Sequence, residues 1–179
     1  SLEEGEAAGG PIGPFAYCSN LKTVKFEDGM RTIPEDLFAS CTGLEKIQIP
    51  ETVVSINESA FENCSNLKEV KIPESVTSIG YKAFEECNSL SEIIMSDNIT
   101  TIASNAFKNC KSLSRVQLPS EISIINMETF QGCTSLETVT IPDTVKTIGA
   151  YAFTNSGLTD ITIPTSTTAI QTPAFGDIC

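Results

Sequence analysis

The chain contains no histidine among its 179 residues. That removes every histidine-based catalytic triad, the usual general base at neutral pH and the commonest metal ligand. Positive charge is also scarce, with 11 Lys and Arg against 23 Asp and Glu, a net charge of −12. An acidic surface of this kind repels phosphate backbones and anionic lipids, so neither nucleic acid nor a membrane surface is expected as a partner. No apolar run approaches the roughly 20 residues that a membrane-spanning helix needs, so no membrane insertion is expected. Closely paired cysteines of the zinc-binding kind are absent, as are the nucleophile elbow, the P-loop and the zincin motif. The chain is read as non-enzymatic and without a cofactor. No signal peptide is visible. The opening "SLEEGEAAGGPIGP", residues 1–14, reads as a linker or disordered segment, a processed end or a cloning remnant.

What the chain has instead is a period. Phenylalanine recurs at Phe15, Phe38, Phe61, Phe84, Phe107, Phe130 and Phe153, always 23 residues apart. Cysteine keeps the same spacing at Cys18, Cys41, Cys64, Cys87, Cys110 and Cys133. Leucine (Leu21 to Leu136) and isoleucine (Ile33 to Ile148) follow in step. The seventh unit slips by one residue: Ser156 takes the cysteine place and Leu158 arrives early. A single unit has too few large apolar side chains to offset the entropy of ordering itself. Stacked units supply one another's missing contacts, so the period predicts a solenoid. Residues 15–179 are read as one such domain of about seven repeats.

Each unit divides into recognisable pieces. In "LKEVKIP" (Leu67–Pro73), Val70 and Ile72 alternate with charged residues, the pattern of a half-buried strand. Pro73 ends it, lacking an N–H to donate. "SVTSI" (Ser75–Ile79) predicts a second extended piece. Gly80, Gly149, Asn57 and Asn126 follow that isoleucine and suggest a turn with positive φ. "YKAFEEC" (Tyr81–Cys87) is expected to form one short helical turn. Strands running one way in every unit make a parallel sheet. With a tighter turn opposite, the expected shape is an α/β arc with the sheet on its concave face.

The strand core resembles the L-x-x-L-x-L of leucine-rich repeats. The 23-residue unit, "IPESVTSIG" (Ile72–Gly80), "AFENCSNL" (Ala60–Leu67) and the shortened "AFTNSGLTDITIP" (Ala152–Pro164) resemble the BspA-like, Treponema-type subclass. The likeness runs from about Phe15 to Phe175. The first unit departs from it, with Phe26, Met30 and Leu37 for Ile, Val and Ala, and reads as a worn or capped edge. The resemblance implies a right-handed solenoid. It also implies a secreted or surface protein of gut or oral bacteria, or of a parasitic protist, that adheres to host extracellular or cell-surface proteins without catalysis. The chain is expected to be a monomer. A purely structural spacer within a larger surface protein is one alternative; a carbohydrate-binding or carbohydrate-processing accessory domain is another.

Candidate residues follow from position. The phenylalanine row reads as a core spine. The cysteine row reads as a reduced core ladder, with disulfides or a metal site as alternatives. Asp28, Glu51, Glu74, Asp97 and Asp143 follow the proline position and read as solvated turn residues, with calcium as the alternative. Asn57, Asn63 and Asn98 stand in glycosylation sequons. The outward strand positions vary while the inward ones do not. The pairs Lys46 and Gln48, Glu69 and Lys71, Glu92 and Ile94, Arg115 and Gln117, and Thr138 and Thr140 are therefore the candidate binding face, flanked by Thr23, Lys25, Asp160 and Thr162. Ile94, an outward apolar residue amid charges, is the most suggestive of them.

Overall fold

Inward residues of every repeat stack on their counterparts one coil away, and this fixes the architecture. A computed structural model describes residues 13–27 and 29–177. Residues 1–12, Asp28 and Cys179 lie outside the described residues, and with them most of the expected linker and one member of the acidic row. The chain winds as a parallel β-solenoid with two strands per coil. The longer strands are β1 (Thr23–Lys25), β3 (Lys46–Gln48), β5 (Glu69–Lys71), β7 (Glu92–Ile94), β9 (Arg115–Gln117) and β11 (Thr138–Thr140). The shorter ones are β2 (Thr32–Ile33), β4 (Ser55–Ile56), β6 (Ser78–Ile79), β8 (Thr101–Ile102), β10 (Ile124–Ile125), β12 (Thr147–Ile148) and β13 (Ala169–Ile170).

Pairing is in register and advances by one repeat: Glu69 faces Glu92, Val70 faces Ile93 and Lys71 faces Ile94. The short strands do the same, Ser55 on Ser78 and Ile56 on Ile79. The Val and Ile rows, the leucines, the cysteines from Cys41 onward and the phenylalanines from Phe38 onward form one continuous core. Successive rings from Phe15 to Phe175 stack nearly parallel, 5.2–5.7 Å apart. Phe15 and Cys18 depart from the expected burial. Both stand exposed in the first described coil, which has no described coil before it. At the other edge, residues 160–162 form no strand, although Ile161 still packs on the core. The one-residue slip acts there.

The expected helical turn does not form, and among the described residues there is no helix at all. A helix would send each N–H four residues back along the chain. Here alternate amides are taken by the next coil. Ser59, Phe61 and Asn63 donate to the carbonyls of Tyr81, Ala83 and Glu85 at 2.7–2.9 Å. The amides between them close local turns, Glu62 on Ser59 and Cys64 on Phe61, both at 3.1 Å. Two left-handed residues per coil make this possible, such as Ser59 (φ 49°) with Asn63 (φ 55°), and Lys82 (φ 56°) with Glu86 (φ 60°). The α/β reading is therefore corrected to an all-strand-and-turn solenoid. The positive φ expected at Gly80, Gly149, Asn57 and Asn126 is corrected too, since none of the four has one. A Cβ on Gly80 would lie 2.6 Å from the carbonyl carbon of Asn57, so that glycine's role is close approach between coils.

Candidate functional site

Alternation sends every second strand residue outward, and parallel registration turns those positions into rows. One row runs Thr23, Lys46, Glu69, Glu92, Arg115, Thr138; the other runs Lys25, Gln48, Lys71, Ile94, Gln117, Thr140. All ten candidate residues, from Lys46 to Thr140, are exposed on this one face. Asp160 and Thr162 continue it beyond the last long strand.

The face is chemically mixed. Lys46 registers on Glu69, and Glu69 on Glu92. Among the described residues, Lys25, Lys46, Lys71 and Arg115 form no salt bridge, because the ion pairs lie elsewhere. Ile94 is 52% exposed, registers on Lys71 and shares a depression with Glu92, Arg115 and Gln117. The relief is shallow. One depression of about 220 Å³ is lined by Glu92, Ile93, Ile94, Met95, Arg115 and Gln117. Another of about 230 Å³ lies beside it, between Ile47, Lys71 and Ile94. The neighbouring carboxylates of Glu69 and Glu92 sit on this open face and not in a cleft that would shield a reacting bond from water.

The cysteine row is a structural device that periodicity only half revealed. Cys41, Cys64, Cys87, Cys110 and Cys133 are all free thiols. Each donates to the carbonyl of the phenylalanine 26 residues back, at 2.9–3.2 Å. Burial pushes their thiols upward, Cys133 to about 12 and Cys64, Cys87 and Cys110 well above the ordinary range. A thiol so resistant to ionisation is a poor nucleophile and a poor metal ligand. Among the described residues, no three acid or cysteine side chains gather as a metal site requires. The acidic row is exposed and partly engaged with protein: Asp97 Oδ1 accepts from the amide of Ser120 at 3.0 Å, and Glu74 Oε2 from Asn98 at 3.2 Å. Of the sequon asparagines, Asn57 and Asn98 are exposed and Asn63 is half-buried.

A charged network on the turn face was not foreseen. Lys82 lies 3.6 Å from Glu62 and 3.2 Å from Glu85. Two coils on, Lys108 and Asn105 both donate to Glu128 Oε2. Burial raises the Glu85 carboxyl above its ordinary range, a rise that Lys82 partly opposes. The hydrogen bond from Lys108 holds Glu128 below its ordinary range. These residues fall at the variable positions of the repeat, so periodicity carried no signal for them.

The chain matches the BspA type leucine rich repeat region in six copies, over residues 12–114 and 56–179. No curated protein matches it in sequence. Among solved structures, it is similar to a leucine rich cell surface protein from Faecalibacterium prausnitzii, with 34% identity and a TM-score of 0.80 over 93% of this chain and 46% of that one. It is also similar to a leucine-rich repeat protein from Bacteroides ovatus, with 30% identity and a TM-score of 0.71 over 89% and 48% of the two chains. The leucine-rich repeat protein of T. pallidum is 28% identical, with a TM-score of 0.76 over 80% and 67%. The chain thus spans about half the length of the first two. It belongs to the BspA-type leucine-rich repeat family.

Proposed function

We propose that this member of the BspA-type family is a non-enzymatic binding module of a bacterial secreted or surface protein, and that it takes a host extracellular or cell-surface protein on the outward face of its long strands. One observation carries the reading. The inward positions of the repeat are nearly constant, whereas the outward pair differs from one coil to the next and lies on one exposed face. A wall that only had to stay wet would need no particular mixture; a recognition surface needs chemical individuality along its length. An extended exposed face of this kind is where solenoid proteins commonly take their partners. The surface location is supported by the F. prausnitzii relative, described as a cell surface protein.

The test is label-free binding of the purified chain to immobilised matrix proteins, plasma proteins, mucins and glycans. It is run beside a variant with Glu92, Ile94, Arg115 and Gln117 all changed to alanine. Saturable binding to a protein, lost in the variant, is the expected result. Binding to glycans alone would move the reading to a carbohydrate-recognition domain. Binding to nothing would leave a spacer that holds other parts of a surface protein at a distance.

A further inference from the structure

The stack is not uniform, and its one double interruption falls beside Ile94. Sheet pairing joins β1, β3, β5 and β7, and separately β9 and β11; no ladder joins β7 to β9. The short strands break at the same coil boundary, between β8 and β10. Amides next to the strands repeat the message. Ser91 N–H donates to Lys68 O and Glu137 N–H to Ser114 O, at 2.9 and 3.0 Å, but Ser114 N–H makes no such bond to Ser91. Thr100 N–H donates to Thr77 O and Lys146 N–H to Ser123 O, at 2.9 and 2.8 Å, but Ser123 N–H makes none to Thr100.

The turn side runs through the same boundary intact. Phe107 N–H donates to Thr129 O at 3.0 Å and Asn109 N–H to Gln131 O at 2.7 Å. The Phe107 and Phe130 rings stack 5.6 Å apart. Glu128 is held by both Asn105 and Lys108. The two coils are therefore joined on the turn side and at the strand entrance, where the Ser112 amide and hydroxyl both donate to Asn88 O at 3.2 and 2.7 Å, but lack the strand bonds between. One side chain stands where a backbone bond would be. Asn126 donates from its side-chain amide to Ile102 O at 2.6 Å, a carbonyl position that takes a backbone amide elsewhere, as when Gly80 N–H meets Ile56 O at 2.8 Å. Asp97 accepts from the Ser120 amide across the same boundary.

We infer that this seam is the point of recognition on the strand face, and that it takes an apolar side chain of a protein partner set between an acidic and a basic group. The inference rests on the binding reading above. The shallow depression at the seam has Ile94 and Met95 on one wall and Arg115 and Gln117 on the other, with Glu92 and Arg115 supplying opposite charges at its margins. The outward positions of the long strands include no aromatic ring on which a sugar would stack, which favours polypeptide over glycan. Arginine is among the residue types enriched at interface hot spots, and Arg115 lines this depression.

A library of short random peptides displayed on phage, panned against the intact chain, tests this without knowing the natural partner. Three single variants are compared: Ile94→Lys and Arg115→Glu at the seam, and Lys46→Glu distant on the same face. All three residues are exposed, so each variant keeps the core. The expected result is a family of peptides sharing an apolar residue flanked by charge. Their binding weakens at least about tenfold in both seam variants and is unchanged in Lys46→Glu. Peptides lost in Lys46→Glu but retained by Ile94→Lys would overturn the seam while leaving the binding face in place. An absence of enriched peptides, or peptides indifferent to all three variants, would overturn both.

Discussion

The thiol of Cys64 donates to the carbonyl oxygen of Phe38, 3.2 Å away and 26 residues earlier. The contact recurs down the row and explains why the position is cysteine and not merely small. Ser156 occupies the same place in the seventh unit, and its buried hydroxyl has no partner. The shorter C–O bond holds the oxygen back from the carbonyl that sulfur reaches.

Cys87→Ser is therefore expected to cost more stability than Cys87→Ala, although serine keeps more of the volume. A stranded buried hydroxyl costs about 1–3 kcal/mol. Urea denaturation of the two variants decides the order; an equally stable serine variant would remove the hydrogen-bonding role.

Thiol reactivity should be as uneven as burial. Cys18 is exposed, whereas Cys64, Cys87, Cys110 and Cys133 are buried and held protonated. At mildly alkaline pH, a thiol reagent is expected to label Cys18 at once and those four only as the chain unfolds. Peptide mapping after labelling reads this directly, and rapid native labelling of Cys87 would contradict it.

The two turn-face glutamates pull the pH dependence in opposite directions. Glu128 is depressed from its ordinary 4.5, so its stabilising contribution is full above that value and is lost as pH falls through the depressed one. Glu85 is raised from 4.5, so its contribution is full below that value and is lost as pH rises through the raised one. Glu128→Gln should thus weaken the chain at neutral pH and converge with the parent in acid. Glu85→Gln should be at least as stable as the parent at neutral pH and lose that standing in acid. Thermal melts across the acid range test both signs.

Amide hydrogen exchange should single out the seam. Ser114 and Ser123 N–H are expected to exchange faster than Glu137 and Lys146 N–H, their counterparts one coil later, whose bonds to Ser114 and Ser123 carbonyls are intact. Equal protection at both boundaries would mean a closed stack in solution.

Legibility in the sequence followed the reach of each interaction. Rows that pack on themselves, such as Phe61 on Phe84, impose the same side chain at the same interval, so period alone revealed the core and the outward face. The turn conformation escaped because its cause lies in the next coil: whether Phe61 N–H bonds locally or to Ala83 cannot be read from Tyr81–Cys87. Its left-handed positions are also filled by unlike residues, Ser59, Lys82, Asn105, Glu128 and Tyr151, which disguise a shared φ. Asn57 and Asn126 hold equivalent places, yet Asn57 bonds Ile33 through its backbone and Asn126 bonds Ile102 through its side chain. The sequence pattern is blind to that choice, and the seam depends on it. The burial of Phe15 and Cys18 was overdrawn because it needs a coil on both sides, and no described coil precedes theirs.

In-register stacking also bears on how such a gene changes length. Each coil presents to its successor the surface it received from its predecessor, so in-frame duplication or loss of a whole unit by recombination creates no new kind of junction. A change of a single codon is different. The slip around Ser156–Leu158 shortens one coil by a residue, and residues 160–162 beyond it form no strand. Lineages are thus free to add or drop outward rows in complete units, while a one-residue change inside a unit disturbs the strand register it falls in.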